Sequence, residues 1–310
     1  MNPRTLRQLG VALAVLVVVW LGLSALGRTR RDTAGRMTMS RFDPKTVDAA
    51  EIAHGADTLR FTRRATGWEV NGWRADRSLV QSLVGYLADT SAVTELVAQN
   101  ALAHEELGLD SAHAWRVSAL QGGHTVADLF VGNGGAYGSV YVRKPGQQAA
   151  YQLSSGLADL VTKPLSGWRD RTIADVPPDS VVEVDVRRGR KSYTVTRAKG
   201  GWRLDSGAAD SAAVSRLLGA AHPLYGDGFP TAAQTDSLRR ARLVRTVRLL
   251  GTAQRPLLVL SVDSVGPNSL WARREGDSTV YQLLDFKVQD LMPADSTLRP
   301  KPAAKAKRAK

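Results

Sequence analysis

Residues 58–84 come back 134 positions later without a gap. Thr58-Leu59-Arg60-Phe61-Thr62-Arg63 reappears as Ser192-Tyr193-Thr194-Val195-Thr196-Arg197, Gly67-Trp68 as Gly201-Trp202, and Ala75-Asp76 as Ala209-Asp210. Val80, Leu83 and Val84 return as Val214, Leu217 and Leu218. A second matched stretch runs 130 apart: Val117 and Leu120 with Val247 and Leu250, Ser139–Arg143 with Ser269–Arg273, and Tyr151-Gln152-Leu153 with Tyr281-Gln282-Leu283. The second copy has therefore lost a net four residues between the positions of Val84 and Val117. Whatever this chain folds into must be buildable twice. Two copies are too few for a solenoid, so each is expected to carry its own core, and 310 residues suffice for that.

Within a copy, the periodicity changes in a fixed order. Leu59 and Phe61 alternate with polar neighbours, which predicts a strand with one apolar face. Arg64-Ala65-Thr66-Gly67 is a hairpin connection, with Gly67 free to take the left-handed conformation of a bulged turn. Trp68 and Val70 continue the alternation on the return strand. Asp76 then fits a helix N-cap, followed by the stripe Leu79, Val80, Leu83, Val84 and Leu87 at helical spacing. The second copy repeats this with Tyr193, Val195, Trp202, Leu204, the cap Asp210, and Ala213, Val214, Leu217, Leu218 and Ala221. A polar stretch leads to Leu107-Gly108-Leu109-Asp110, and strands are predicted at about 115–120, 125–131, 139–144 and 150–153. The expected fold is α+β: two tandem homologous modules, each an antiparallel sheet with a packed helix.

Composition matters mainly at the ends. Leu9–Leu26 is an 18-residue apolar run, about 27 Å long as a helix, which is close to the hydrocarbon thickness of a bilayer. It reads as a single-pass anchor, with a cleaved signal peptide as the alternative because Ala25-Leu26-Gly27 is a passable cleavage site. Arg28, Arg30, Arg31 and Arg36 outnumber Arg4 and Arg7, so a charge count alone would place the body in the cytoplasm. The short Arg-bearing start followed at once by the apolar run has the form of an uncleaved signal anchor, and favours a body outside the cytoplasm at the inner membrane. Of the net charge of +13, residues 1–32 hold +4 and residues 299–310 hold +6, which leaves +3 for residues 33–298. The basicity thus points to an anionic surface near the termini, and no nucleic-acid partner is expected. No cysteine occurs, which excludes disulfides, thiolate metal sites, a thiol nucleophile and a lipidated-cysteine anchor. The organisation read from the chain is a flank at 1–8, the anchor at 9–26, a linker at 27–45, the first repeat at 46–165, a connection at 166–180, the second repeat at 181–297, and a basic tail at 298–310.

Candidate chemistry is thin. The glycine run 132–138 lacks the Lys-Ser/Thr and following helix of a phosphate loop, so it reads as a hairpin. His104-Glu105-Glu106 lacks the second histidine of a zinc-peptidase helix and reads as a solvated loop, and Asp110 with His113 reads as a turn. No Gly-x-Ser-x-Gly elbow is present, and Ser154-Ser155-Gly156 reads as a cap. Asp76 and Asp210 read as caps, Trp68 and Trp202 as core, and Arg169, Asp170 and Arg171 as salt-bridge formers between the modules. No catalytic, metal-binding or cofactor-binding residue is nominated, and no cofactor is expected.

With these features in view, the chain resembles the family called domain of unknown function 4340. The resemblance is carried by the N-terminal apolar run, Gly67-Trp68 with Ala75-Asp76 and the Leu/Val helix, Leu107-Gly108-Leu109, the Ser139–Arg143 strand and Trp168-Arg169-Asp170-Arg171 over about residues 1–295. The second copy departs from it, offering Ser237-Leu238-Arg239 in place of Leu-Gly-Leu. The resemblance implies a single-pass envelope protein associated with ABC-type transporters of the kind linked to gliding motility, with no catalytic residues to carry over. The expected function is a non-catalytic, membrane-anchored extracytoplasmic accessory or scaffold whose partners are the bilayer and components of an ABC-type transport complex. An envelope glycan- or peptidoglycan-binding module and a hydrolase with an unrecognised site are the alternatives.

Overall fold

The computed structural model describes residues 35–231, 233–235, 238, 244–264 and 270–300. Leu9–Leu26 and the residues after Pro300 lie outside that range, and among the described residues no helix is long and apolar enough to cross a membrane. The chain divides into two units, Met1–Asp170 and Arg171–Lys310.

In the first unit the expected hairpin is β2 (Asp57–Arg64) and β3 (Gly67–Val70), preceded by β1 (Ala49–His54) and followed by β4 (Trp73–Arg74). Then come α1 (Arg77–Ala88), β5 (Thr94–Ala98), β6 (Trp115–Gln121), β7 (His124–Gly134), β8 (Ser139–Arg143), β9 (Ala150–Ser154), α2 (Leu157–Val161) and α3 (Leu165–Trp168). The strands form one nine-stranded sheet in the order β4-β3-β2-β1-β6-β7-β8-β9-β5, with antiparallel pairing throughout.

The second unit opens with β10 (Thr172–Ala174) and continues through β11 (Glu183–Arg188), β12 (Lys191–Ala198), β13 (Gly201–Leu204), β14 (Gly207–Ala208), α4 (Ser211–Gly219) and β15 (Leu224–Tyr225). It ends with β16 (Arg245–Leu250), β17 (Pro256–Ser264), β18 (Leu270–Arg274), β19 (Val280–Leu283) and α5 (Asp285–Leu291). Its main sheet runs β14-β13-β12-β11-β16-β17-β18-β19, the order of the first eight strands of the first sheet with each label raised by ten and, among the described residues, no counterpart of the edge strand β5, while β10 pairs with β15 in a separate two-stranded sheet. The duplication visible in the sequence is therefore a duplication of topology. The fold class is α+β with antiparallel sheets, as expected.

Equivalent residues do equivalent work. The caps Asp76 and Asp210 accept backbone amides, from Ser78 and Leu79 in the first helix and from Ala213 in the second. Asn71 and Asp205 both take left-handed backbone angles, and their side-chain oxygens accept the amides of Arg60 and Thr194 at 2.8 and 3.0 Å. Arg63 and Arg197 both donate to carbonyls of the segment entering the module, Lys45 in one and Val181 in the other. Val80, Leu83, Val84 and Leu87 of α1 are buried, as are Ala213, Val214, Leu217 and Leu218 of α4. These stripes close the helix-facing side of each sheet.

Each module is plugged by a residue that the sequence-based boundaries put outside it. Trp168, within the expected connection 166–180, is fully buried and stands edge-on to Phe61 with ring centroids 4.7 Å apart. Its carbonyl accepts the Asp76 amide at 2.8 Å. Leu298, 130 residues later and in the expected tail, is also fully buried, and its carbonyl accepts the Asp210 amide at 2.8 Å. Met37 and Met39, from the expected linker, join the first core.

Leu107-Gly108-Leu109 docks on the end of β7. The Asn133 amide donates to the Leu107 carbonyl at 2.9 Å, and a Cβ on Gly132 would lie 2.2 Å from that same oxygen, so only glycine fits. Arg143 Nε donates to the Leu109 carbonyl at 2.9 Å. In the second module its counterpart Arg273 donates to the carbonyl of Leu238, which is buried with Trp271 and Val280. Leu238 thus supplies the second module's acceptor for this arginine.

Candidate functional site

The residues singled out from the sequence are mostly engaged in the fold. Trp68 is core, but Trp202 is only half-buried, with the Arg197 guanidinium 4.7 Å from its ring centre. Ser155 Oγ accepts the Leu157 amide at 3.2 Å, the capping role expected of it. The Asp170 carboxylate meets Arg74 at 2.8 Å, and Arg169 lies 3.9 Å from the Trp73 ring centre, so both contacts fall within the first module.

The histidines are dispersed. His104 is buried, not solvated as its neighbours Glu105 and Glu106 suggested, with Nε2 2.8 Å from the Gln148 carbonyl. His113 Nδ1 sits 2.7 Å from the Asp110 carboxylate in an exposed turn, and this bond holds Asp110 below the usual carboxylate range. His222 bonds Asp175 in the second module. His54 stacks on Trp115, while His124 pairs with Gln121 at the opposite end of β6. Among the described residues no group of three or more His, Asp or Glu side chains could hold a metal.

The modules diverge at one end of the core face. Ile52 opposite Val117 and Val186 opposite Val247 are equivalent buried pairs. One row further, the first module stacks His54 on Trp115 with ring centroids 4.2 Å apart and planes 13° from parallel. The second module places Arg188 directly opposite Arg245 at that row. Both arginines, with Arg216 of α4, line a cavity of about 570 Å³ between the sheet end and helices α4 and α5, floored by Leu217, Val288 and Leu298. An adjoining cavity of about 820 Å³ shares Arg188 and Arg245 and adds Arg190 and Lys191. Among the described residues none of these five cations forms an ion pair or a side-chain hydrogen bond.

Of the lining carboxylates, Asp205 accepts the Thr194 amide, Asp285 the Gln289 side chain, and Asp295 pairs with Arg299 at 3.1 Å. The bond from Arg299 holds Asp295 below the usual carboxylate range. Asp290 also faces the first cavity. Tyr193 closes the groove: its hydroxyl donates to the Pro293 carbonyl at 2.7 Å, and burial pushes the phenol above its ordinary range. Sequence reasoning did not nominate this row. The signal was available where the copies disagree, at His54 against Arg188 and Trp115 against Arg245.

The family model for a domain of unknown function, DUF4340, matches residues 68–224, half of the chain. The chain belongs to the DUF4340 family. The match opens at Trp68 in the first module and closes at Leu224 in the second, so it spans the junction between the units instead of a single module. It covers the motifs that carried the resemblance from Trp68 through Arg171. No curated protein and no solved structure matches the chain. In this DUF4340 member the family motifs therefore map to a helix cap, a docked loop and a core plug.

Proposed function

We propose that this DUF4340 member is a membrane-anchored, extracytoplasmic scaffold that acts by binding within a membrane-protein complex, an ABC-type transporter being the expected kind. One observation carries the reading. The side chains at the family motifs are engaged in folding contacts, several of them repeated in both modules, from the caps Asp76 and Asp210 to the plugs Trp168 and Leu298. That leaves the module surfaces for recognition, and two copies of one scaffold can present two different surfaces to one assembly. Leu9–Leu26 would hold the body at the bilayer, and the basic tail would meet anionic surface.

Crosslinking of the full chain in native membranes, followed by partner identification, tests this. The expected product is a crosslink from the body to an integral membrane protein of a transport complex. Recovery of cell-wall glycan instead would favour the envelope-binding alternative, and a chain found processed and free of membranes would remove the anchor. Deletion of residues 1–27 should release a soluble, folded body.

A further inference from the structure

From the Arg188–Arg245 row we propose that the groove of the second module is a binding site for a phosphate-type oxyanion, either free or as the head group of a lipid. The first module supplies the reference. At the same row it carries His54 on Trp115, an attractive stack that closes the end of the core face. The second module puts two guanidinium groups directly opposite each other on neighbouring strands, an arrangement that costs stability in the absence of a counter-charge. Neither arginine has a carboxylate partner among the described residues, although Asp205, Asp285, Asp290 and Asp295 all line the groove. Three of those four carboxylates are already engaged by an amide, an amide side chain or Arg299.

The geometry of the cations selects the ligand class. Arg188 comes from β11, Arg245 from β16 and Arg216 from α4, so three planar forks reach one cavity from three elements. A carboxylate offers two oxygens and is satisfied by a single fork. A tetrahedral phosphoryl group offers acceptors in three directions and suits three forks. Leu217, Val288 and Leu298 give the cavity an apolar floor beside the charged rim, and its volume of about 570 Å³ exceeds what an inorganic ion fills, leaving room for an esterified group. The first module has serine at the position of Arg216, so its copy of the row lacks all three guanidinium groups.

The full chain in detergent, titrated with inorganic phosphate and followed by site-resolved hydrogen exchange, gives the first arm. The second compares the full chain in nanodiscs of phosphatidylcholine alone and with phosphatidylglycerol. In at least one arm, slowed exchange is expected in β11, β16 and the end of α4, the elements that carry Arg188, Arg245 and Arg216, with the first module unchanged. Protection by phosphate assigns a free ligand; protection by phosphatidylglycerol alone assigns a lipid head group. The double variant R188H/R245W installs the pair that the first module already accommodates, and should weaken binding by about tenfold or more for each guanidinium removed. R188Q/R245Q keeps polar side chains at both positions, should lose the same protection, and stands in if the aromatic swap does not fold. No protection in either arm, or equal protection in folded R188Q/R245Q, would overturn the proposal.

Discussion

The two modules share a frame and differ in how that frame is closed. The first is plugged by Trp168 against Phe61, carries a ninth strand at its edge, and ends its core face with an aromatic stack. The second is plugged by Leu298, reduces the ninth strand to a single bridge between Gly228 and Gln282, and ends its core face with two arginines. Contacts made by the backbone carry over between the copies almost without change: the cap, the plug carbonyl that meets it, the left-handed residue after β3 or β13, and the arginine that holds the entering segment. Contacts made by side-chain volume change in size but stay apolar. The row at the end of the core face changes from an aromatic stack to a pair of arginines. A duplicated fold thus fixes its backbone hydrogen bonds first and leaves chemistry to its margins.

The plugs offer the strongest way to break this equivalence. Trp168→Ala should cost about 3–5 kcal/mol and Leu298→Ala about 2–5 kcal/mol, since both residues are fully buried and would leave cavities. Site-resolved hydrogen exchange should show each loss confined to its own module; exchange accelerated equally in both would mean that the modules are not separate cooperative units. Trp168→Phe should be the mildest change at that site, because the indole Nε1 is buried without a hydrogen-bond partner among the described residues and its removal relieves a desolvation cost of about 1–3 kcal/mol.

Gly132→Ala comes next. Its Cβ would sit 2.2 Å from the Leu107 carbonyl, a backbone atom that cannot swing away, so a cost of about 1–3 kcal/mol or more is expected. Amides of the Leu107–Leu109 loop should lose protection, and the second module, where Arg273 bonds the Leu238 carbonyl, should not respond. A normal melting midpoint for this variant would show that the loop docks more loosely than its contacts indicate.

The caps sharpen the comparison on a smaller scale. Asp76 accepts two backbone amides and the Ser78 hydroxyl, the last at 2.6 Å, whereas Asp210 accepts the Ala213 amide. Both alanine variants should lose about 0.5–2 kcal/mol, with Asp76→Ala toward the upper end. Thermal denaturation of the two variants side by side checks the order, and a reversed order would mean that the extra bonds of Asp76 add nothing.

Much of this was legible in the sequence because repetition turned weak local signals into paired ones. The hairpin, the capped helix and the four strands from Trp115 to Ser154 follow from period-two alternation, glycine turns and an Asp before a stripe. The central strand β1 was not legible. Ala-Ala-Glu-Ile-Ala-His has low strand propensity, and it is extended because it lies between β2 and β6 and hydrogen-bonds on both sides. Its partner in the repeat, β11, alternates Val184 and Val186 clearly but was passed over with it. The plugs fall outside the expected modules for a related reason: neither Trp168 nor Leu298 belongs to a periodic apolar stretch, and it is contacts distant in sequence, burial in the core and the carbonyl bonds to the caps, that bring them inside. The candidate groove was hidden because attention to matched positions discards the mismatched ones, and Arg188, Arg216 and Arg245 are all mismatches.

The smallest expected effect isolates one side chain of the second module. Tyr193 corresponds to Leu59, so only the second module places an ionisable group there. Tyr193 is 7% exposed, and burial holds its phenol neutral to a higher pH than in an unfolded chain. Between the unfolded value near 10 and the raised folded one, the unfolded chain has released a proton that the folded chain retains, so stability falls as pH rises. The slope is at most about 1.4 kcal/mol per pH unit, which gives at most about 0.7 kcal/mol over the first half unit above pH 10. Denaturant midpoints between pH 8 and 10.5 should therefore decline more steeply in the parent chain than in Tyr193→Phe. At neutral pH the variant should be slightly weaker, because the Pro293 carbonyl loses its donor. Parallel pH profiles for the two proteins would show that the phenol reaches solvent in the folded state, and with it that the groove beside Pro293 opens further than its hydrogen bond implies.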